Sequence, residues 1–582
     1  MSFPENPASV PAASWRRDIM WLALAFAALF FWRLGSAPLA NPDEGRYAEI
    51  PREMLASGDW VTPRLDGINY FEKPPLMYWV GAASQAVFGR SEWAVRAPLA
   101  LFGLWGVLLT YAAGRRLYGR DAGWWAAVVL GTSLLYFALT RILVLDLAMA
   151  VLMAQALFCF IAGVTEPAGA RRRRLFYALY ASMALATLTK GLIGFLVTGA
   201  VMFLWLLIFN QWRRLRPLYL PTGALLFLAI ALPWHVLAAQ RNETWFDRYI
   251  VYEHFKRFLT PAAGRTGPVW YFVPIVVLGI FPWTGFLWPA MRDAVKGGWA
   301  RRAENATAWF LLVWSGFVFL FFTKSNSKLA PYILPIFPAL AVLVGAWLAA
   351  RLAEREAAAR LKWGLRTFTF VCGLLAAALL VAVFKVGAII REPAQAEALR
   401  PTAVVLAVVL LVGGVIAPWL ARVRSARLGL AVVALTIATF YGVLAGAVGD
   451  IQKPGTKALA HYVAEHARPG DRVMHYFDFF HDFTFYAQRP VELISGEDQA
   501  RKHEFSELEI VEDAAAIVRG MPIGEAAFRA LWMQPTRVFV VAKKRDVHGQ
   551  RADGRPALLD DPTFPSHLLA ETRDHCLFSN QP

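Results

Sequence analysis

The chain has 582 residues, of which 57% are hydrophobic and only 17% charged. A soluble domain carries nearer a quarter charged residues, so a purely soluble protein is excluded. The net charge of +17 comes from lysines and arginines scattered in short clusters between apolar runs, which argues against a nucleic-acid surface and for the inside bias that orients membrane proteins.

A helix needs about 20 mainly apolar residues to cross a bilayer. In chain order the runs that suit one are 18–37, 94–114, 123–141, 146–165, 175–189, 191–209, 217–239, 269–290, 307–323, 331–350, 366–386, 402–420 and 427–447, thirteen in all. Arg16 and Arg17 give the first run the look of a signal peptide. Further apolar segments follow, so it reads as an uncleaved span. A shorter run, "PPLMYWVGAASQAVFG" (74–89), is settled by charge. If it lies along the interface, the basic clusters near 16, 115, 172, 214, 296, 355 and 424 all fall on the cytoplasmic side. If it crosses, all but the first move outside. It therefore reads as an interfacial helix.

That choice puts the loop 38–93, Asp146, Lys190 and the segments 240–268 and 323–331 on the outer side. The last residues, 450–582, also lie outside and read as a small soluble α/β domain. Its cues are an amphipathic helix at 456–467 and strands at 472–477 and 537–542. The expected fold is a polytopic α-helical membrane protein with about thirteen transmembrane helices over 1–449, followed by that domain. Cys159, Cys372 and Cys576 are scattered, and give neither a disulfide framework nor a metal motif.

The loop opens with "NPDEGRYAEIPREMLASGDW" (41–60), dense in charge. Asn41 suits an N-cap, Pro42 the first helical position and Glu44 the third, as in a capping box. Such a helix sets Asp43, Arg46 and Tyr47 on one face. Pro51 is expected to kink or break it, and Gly58 to stop it. A solvated amphipathic helix is the plain alternative. "NYFEKPP" (69–75) then brings Tyr70, Glu72 and Lys73 to the start of the interfacial helix. "TRILVLDLAMAV" (140–151) places Asp146 between two apolar runs, where capping a span is the plain alternative. "TKSNSKLAPYILP" (323–335) sets Lys328 and Tyr332 at an outer edge. Positive charge there runs against the inside bias and invites an anionic partner, with snorkelling as the alternative. Lys190 is another outer-edge cation. The segment 240–268 adds Glu253, His254, Lys256 and Arg257. Glu72 with His254 makes only two metal ligands, so substrate or water would have to complete a zinc sphere.

"DEGRYAEIPREMLASGDW", "YFEKPP" and Asp146 after "TRILVL" together resemble the C-type membrane glycosyltransferases. Within these the chain is most similar to the lipid A aminoarabinose transferases, which are related to protein O-mannosyltransferases. The resemblance implies an inner-membrane enzyme whose active site and C-terminal domain face the periplasm. It would move 4-amino-4-deoxy-L-arabinose from undecaprenyl phosphate to a lipid A phosphate, giving cationic lipid A and polymyxin resistance. Matched position by position, Asp43 and Asp146 are the acidic residues of the first and second outer loops. Lys73, with Arg46, Tyr70, Arg257 and Tyr332, corresponds to residues around the carrier phosphate. Tyr47, Lys190 and Lys328 join that donor-binding set by placement. Glu72 and His254 match the positions for a divalent metal, zinc. Rival functions are a protein O-mannosyltransferase-like enzyme and a lipid-linked sugar flippase. A transporter would set its ionisable groups near the bilayer midplane, whereas here they gather at one outer edge.

Overall fold

The computed structural model describes residues 12–212, 217–256, 260, 266–385, 393–451, 455–495, 522–549 and 557–582. Among these, eight helices are long and apolar enough to cross a membrane. A ninth span is added if the pair Phe272–Gly279 and Thr284–Ala294, bent by 106°, is one crossing. The chain is thus a polytopic α-helical membrane protein with a soluble C-terminal fold. Length explains why some of the thirteen apolar runs miss that standard. The run 123–141 breaks at Ser133 into α5 (Arg120–Thr132) and α6 (Leu134–Leu139). The run 191–209 holds only the 17 residues of α9 (Ile193–Phe209).

Contacts divide the chain into two compact units. One gathers the described residues of Met1–Ser36, Phe71–Met77 and Arg96–Ile451, and the other those of Ala37–Tyr70, Tyr78–Val95 and Gln452–Pro582. The charged loop is therefore grouped with the C-terminal residues, a grouping that a division at 449/450 does not make.

In the first unit, α7 (Asp146–Thr165) carries no charge after its first residue and is buried nearly all round. A helix apolar on every side belongs in a core. It packs against α8 (Ala170–Lys190). Asp146 occupies the first turn of α7 and Lys190 the last residue of α8. Each charge thus sits at the helix end whose dipole favours it. Gly191 closes α8 at φ 81°, with its N–H donating to the Thr187 carbonyl at 2.8 Å. Only glycine takes that backbone conformation without strain.

In the second unit, α2 (Asp43–Ser57) starts one residue later than the capping-box reading requires. Glu44 does reach back, accepting from the Ala40 N–H at 2.9 Å. Asn41 is not the cap: its side chain is engaged by Asp482, whose backbone N–H donates to it at 3.1 Å. Pro51 does not break the helix, which runs on to Ser57. Gly58 ends it in the left-handed conformation, as expected. A small core of Ile50, Met54, Leu65, Ile68, Tyr70 and Tyr78 fastens α2 to the short hairpin β1 (Arg64–Leu65) and β2 (Ile68–Asn69) and to α3 (Leu76–Phe88). At 13 residues α3 is too short to span, in keeping with the interfacial reading.

The C-terminal residues form a five-stranded mixed sheet in the order β4-β3-β5-β7-β6. Strands β3 (Arg472–Tyr476), β4 (Glu492–Ile494) and β5 (Val538–Lys543) are parallel neighbours, and β7 (His575–Ser579) pairs antiparallel with β5 and with β6 (His567–Glu571). Both expected strands are present. Of the other three, β4 has only three residues and β6 is largely exposed, while β7 is as long as β3 and buried beyond His575.

Gly45 is where α2 meets the helix His481–Ala487. A Cβ there would collide with the backbone of His481 and Asp482. Overpacking of this kind costs about 1–3 kcal/mol. We expect Gly45→Ala to lower the melting temperature of the detergent-solubilised protein by several degrees. An unchanged melting curve would show that this contact is loose.

Candidate active site

The first unit contains a cavity of ≈ 480 Å³. Two kinds of side chain line it. Glu72, Lys73, Asp146, Lys190, Glu253, His254 and Tyr332 supply polar and charged groups, while Met149, Met153, Ile193, Leu196, Val197, Phe321 and Phe322 supply an apolar wall. Such a lining suits an amphiphile with a charged head and a hydrocarbon tail.

The charged groups are held in pairs. Lys73 Nζ lies 3.0 Å from Glu253 Oε2 and also donates to the Glu72 carbonyl at 2.7 Å. The two side chains are 15% and 4% exposed. Lys190 pairs with Asp146, joining the end of α8 to the start of α7. The Lys190 ammonium also stands 4.4 Å from the centroid of the Tyr332 ring, a cation–π contact that fixes its direction.

Glu253 and His254 come from a π-helix, Phe246–Lys256. Wide turns of this type are frequent at functional sites. Buried Tyr249 anchors it, packed edge-on against Trp234 at 5.8 Å and tilted against Trp245 at 5.1 Å. His254 Nδ1 donates to the Tyr249 carbonyl at 2.6 Å, and Nε2 accepts the Leu192 N–H at 3.0 Å. Burial pushes this imidazole below its usual pKa, in accord with a neutral ring that donates from one nitrogen and accepts at the other. The ring also abuts Gly191, where a Cβ would strike it. One chain of contacts thus runs from Tyr249 through His254 to the residue after Lys190.

Both nitrogens of His254 are engaged, so a metal shared with Glu72 would have to displace the Leu192 N–H. Among the described residues, the three acidic groups near enough to share one cation are Glu49, Glu53 and Asp66, with ligand oxygens within 4.8 Å of one another. They lie in the second unit. Glu49 is already gripped by Arg52 through two bonds of 2.6 and 2.5 Å. Asp66 pairs with His481 at 3.3 Å.

The remaining expected site residues are distributed as follows. Asp43, Arg46, Tyr47 and Tyr70 belong to the second unit. Asp43 and Arg46 share a face, 3.7 Å apart, with Asp43 half exposed and Arg46 buried. The Arg46 guanidinium lies over the Tyr70 ring at 5.8 Å, and Tyr47 stacks on Tyr78. Lys328 donates to the Ser325 carbonyl at 2.7 Å, while Ser325 and Ser327 themselves line the cavity. Arg257 lies outside the described residues. Glu253 was not singled out in the sequence as a site residue. No spacing rule ties it to Lys73, 180 positions away.

Residues 17–250 match the family model for dolichyl-phosphate-mannose-protein mannosyltransferase. The chain is similar to the undecaprenyl phosphate-alpha-4-amino-4-deoxy-L-arabinose arabinosyl transferase of Edwardsiella ictaluri. The two are 33% identical over 361 residues, 62% of this chain and 64% of that protein. A Proteus mirabilis transferase of the same description, numbered 1, is 35% identical over 54% of this chain and 56% of its own length. The chain thus spans under two thirds of the length of these curated relatives. Among solved structures it is similar to ArnT from Cupriavidus metallidurans bound to undecaprenyl phosphate, with a TM-score of 0.82, 28% identity and 98% of both chains covered.

The acidic trio of the second unit gives a pH-dependent prediction. Burial, and then the charge of Asp66, raises the pKa of Glu53. A carboxyl whose pKa is higher in the folded state supports the fold fully below its ordinary value of 4.5, and this support is lost as pH rises through the raised value. Glu53→Gln removes that titration and its like-charge repulsion. With chelator present, we expect the variant's melting temperature to gain on wild type as pH rises above 4.5 through the raised value. A gap that does not grow with pH would show that Glu53 is unstrained.

Proposed function

We propose that the chain is a transferase of the ArnT type, which it resembles over nearly its whole length in structure, and that it moves 4-amino-4-deoxy-L-arabinose from undecaprenyl phosphate to a phosphate of lipid A. The observation that carries this reading is the cavity that joins paired lysines to an apolar wall. A polyprenyl phosphate offers the matching chemistry, an anionic head on a hydrocarbon chain.

Transfer breaks the bond between the anomeric carbon and the carrier phosphate oxygen, which leaves with the electron pair. A new bond forms from that carbon to the acceptor phosphate oxygen. Glycosyl transfer passes through an oxocarbenium-like transition state. Negative charge grows on the departing phosphate, and Lys73 is the group that stabilises it. Such a donor counts for more in a water-excluded site than in bulk water. Lys190, oriented by Tyr332, is the second cation. Asp146 balances positive charge developing on the sugar and keeps Lys190 in place. The acceptor phosphate is already anionic, so no strong base is required. Asp43 is assigned to orienting the acceptor rather than to proton removal. A single displacement inverts the anomeric centre.

The same reading gives the topology. Thirteen crossings, with 74–89 interfacial, put the basic clusters in the cytoplasm and the cavity residues at the periplasmic edge of the inner membrane. It assigns 450–582 to the periplasm as a soluble domain. The match of 17–250 to a mannosyltransferase model favours a second reading, transfer of a lipid-linked hexose to a protein hydroxyl.

Mass spectrometry of lipid A from cells with and without the active protein separates the two. We expect an added amino-pentose only with the protein; unmodified lipid A beside a glycosylated protein would support the second reading. With purified enzyme, Lys73→Ala should lower turnover by about 10²–10³, the usual cost of losing one preorganised donor. Near-normal turnover would remove Lys73 from the site. Asp43→Asn should abolish transfer while leaving carrier-phosphate binding intact, and full activity would remove Asp43 from the reaction.

A further inference from the structure

Resting on the function just proposed, we infer that Asp482 is a positioning residue for Asp43: its buried carboxylate clasps Asn41 and so sets the first turn of α2. Aiming the acid that orients the acceptor then becomes a task of the C-terminal residues.

The two ends of α2 are held by different means. Its later turns are fastened by the core of Ile50, Met54, Leu65, Ile68, Tyr70 and Tyr78. The first residue of α2 in that core is Ile50, about two turns beyond Asp43. The start of α2 leans instead on the helix His481–Ala487. The Leu39 N–H donates to the Tyr486 hydroxyl at 2.8 Å. Asn41 gives its side-chain N–H to the Asp482 carboxylate and takes the Asp482 backbone N–H at 3.1 Å. Gly45 lies against the backbone of His481 and Asp482, with no room for a Cβ. The Asp43 side chain is 49% exposed, so packing does not choose its direction. Its ion pair with Arg46 belongs to the same helix and cannot set where that helix begins.

The clasp is made from its buried side. Asp482 is fully buried, and both carboxylate oxygens are used. Oδ1 accepts from Asn41, and Oδ2 accepts the Thr456 N–H at 3.0 Å. Thr456 precedes the helix Lys457–His466. Gly455, at φ 56°, lets that backbone approach, since a Cβ there would stand 2.6 Å from Oδ2. A buried acceptor that loses its donor is penalised more than a surface bond is worth. The carboxylate therefore keeps its hold on Asn41, exposed though that residue is. The hold has one orientation. Turning the Asn41 amide over would set its nitrogen against the Asp482 N–H and its oxygen against the carboxylate. Asn41 is thus locked immediately before Pro42 and Asp43.

Small displacements matter in group transfer: misplacing a reacting partner by about 1 Å can cost about 10²-fold in rate. The carrier phosphate is assigned to Lys73 and Lys190, which are paired elsewhere, with Glu253 and Asp146. Loosening the clasp should therefore impair use of the acceptor and leave the hold on the carrier alone.

The test uses the full-length purified protein, the aminoarabinose donor on undecaprenyl phosphate, and lipid A as acceptor. Binding of undecaprenyl phosphate alone is measured alongside. Asp482→Asn sets two donors face to face, and Asn41→Asp sets two carboxylates. We expect each to lower kcat/KM for lipid A by about 10- to 10²-fold per molecule that binds undecaprenyl phosphate, with that binding unchanged. The double variant Asn41→Asp/Asp482→Asn exchanges amide and carboxylate. Position 482 then donates to position 41 and still accepts the Thr456 N–H, so most of the activity should return. Asn41→Ala changes an exposed position and should fold even if Asp482→Asn does not; it should show the same kind of loss. Normal turnover per binding molecule beside a lowered melting temperature would make the clasp structural only and overturn the proposal. So would a loss that the exchange does not repair, or one shared by carrier-phosphate binding. A wild type that leaves lipid A unmodified sinks the proposed function, whereas a wild type that transfers normally beside equally active variants sinks this inference alone.

Discussion

Two lysine–carboxylate pairs in a cavity walled by hydrocarbon impose the constraint on which the functional account depends. Charge placed there cannot be left alone, since breaking a buried pair by removing one partner costs about 3–5 kcal/mol. Lys73 with Glu253 and Lys190 with Asp146 are therefore satisfied before any ligand arrives. A ligand enters by exchanging partners. The same low-dielectric surroundings that make the exchange demanding also make the lysines effective toward a departing phosphate.

The fold makes those pairs by local means. The chain turns from α7 to α8 so that the start of one helix and the end of the next lie side by side, and the dipoles favour Asp146 and Lys190 where they stand. Gly191 lets α8 stop without a side chain in the way of His254. His254 in turn ties the π-helix to that turn and sets Glu253 toward Lys73. Tyr249, wedged among Trp234, Trp245 and His235, keeps the wide helix in place. His254 fits this role of structural pin better than that of a metal ligand, because its lone pair is already in use.

Much of this was legible in the sequence because it is written in runs and in charge. Apolar stretches of span length gave the membrane class. The Asp43–Arg46 face followed from helical spacing, as did the left-handed stop at Gly58. What escaped depends on contacts between distant segments. Asn41 looked like a cap, but Asp482, 441 positions on, takes its side chain. Pro51 looked like a break, but the core formed by Ile50, Met54 and Tyr78 holds α2 together through it. Glu253 resembled one more charge in an interfacial segment until the fold set it against Lys73. Strand β4, with three residues, is too short for an alternating pattern to declare itself, and β6 is largely exposed.

The most direct measurement is a structure of this chain with undecaprenyl phosphate bound. The account predicts Lys73 Nζ on a phosphate oxygen and separated from Glu253 by more than about 4 Å, the outer limit of an ion pair, while Lys190 and Asp146 stay together. A bound carrier whose phosphate lies elsewhere, with the Lys73–Glu253 pair still closed, would contradict it.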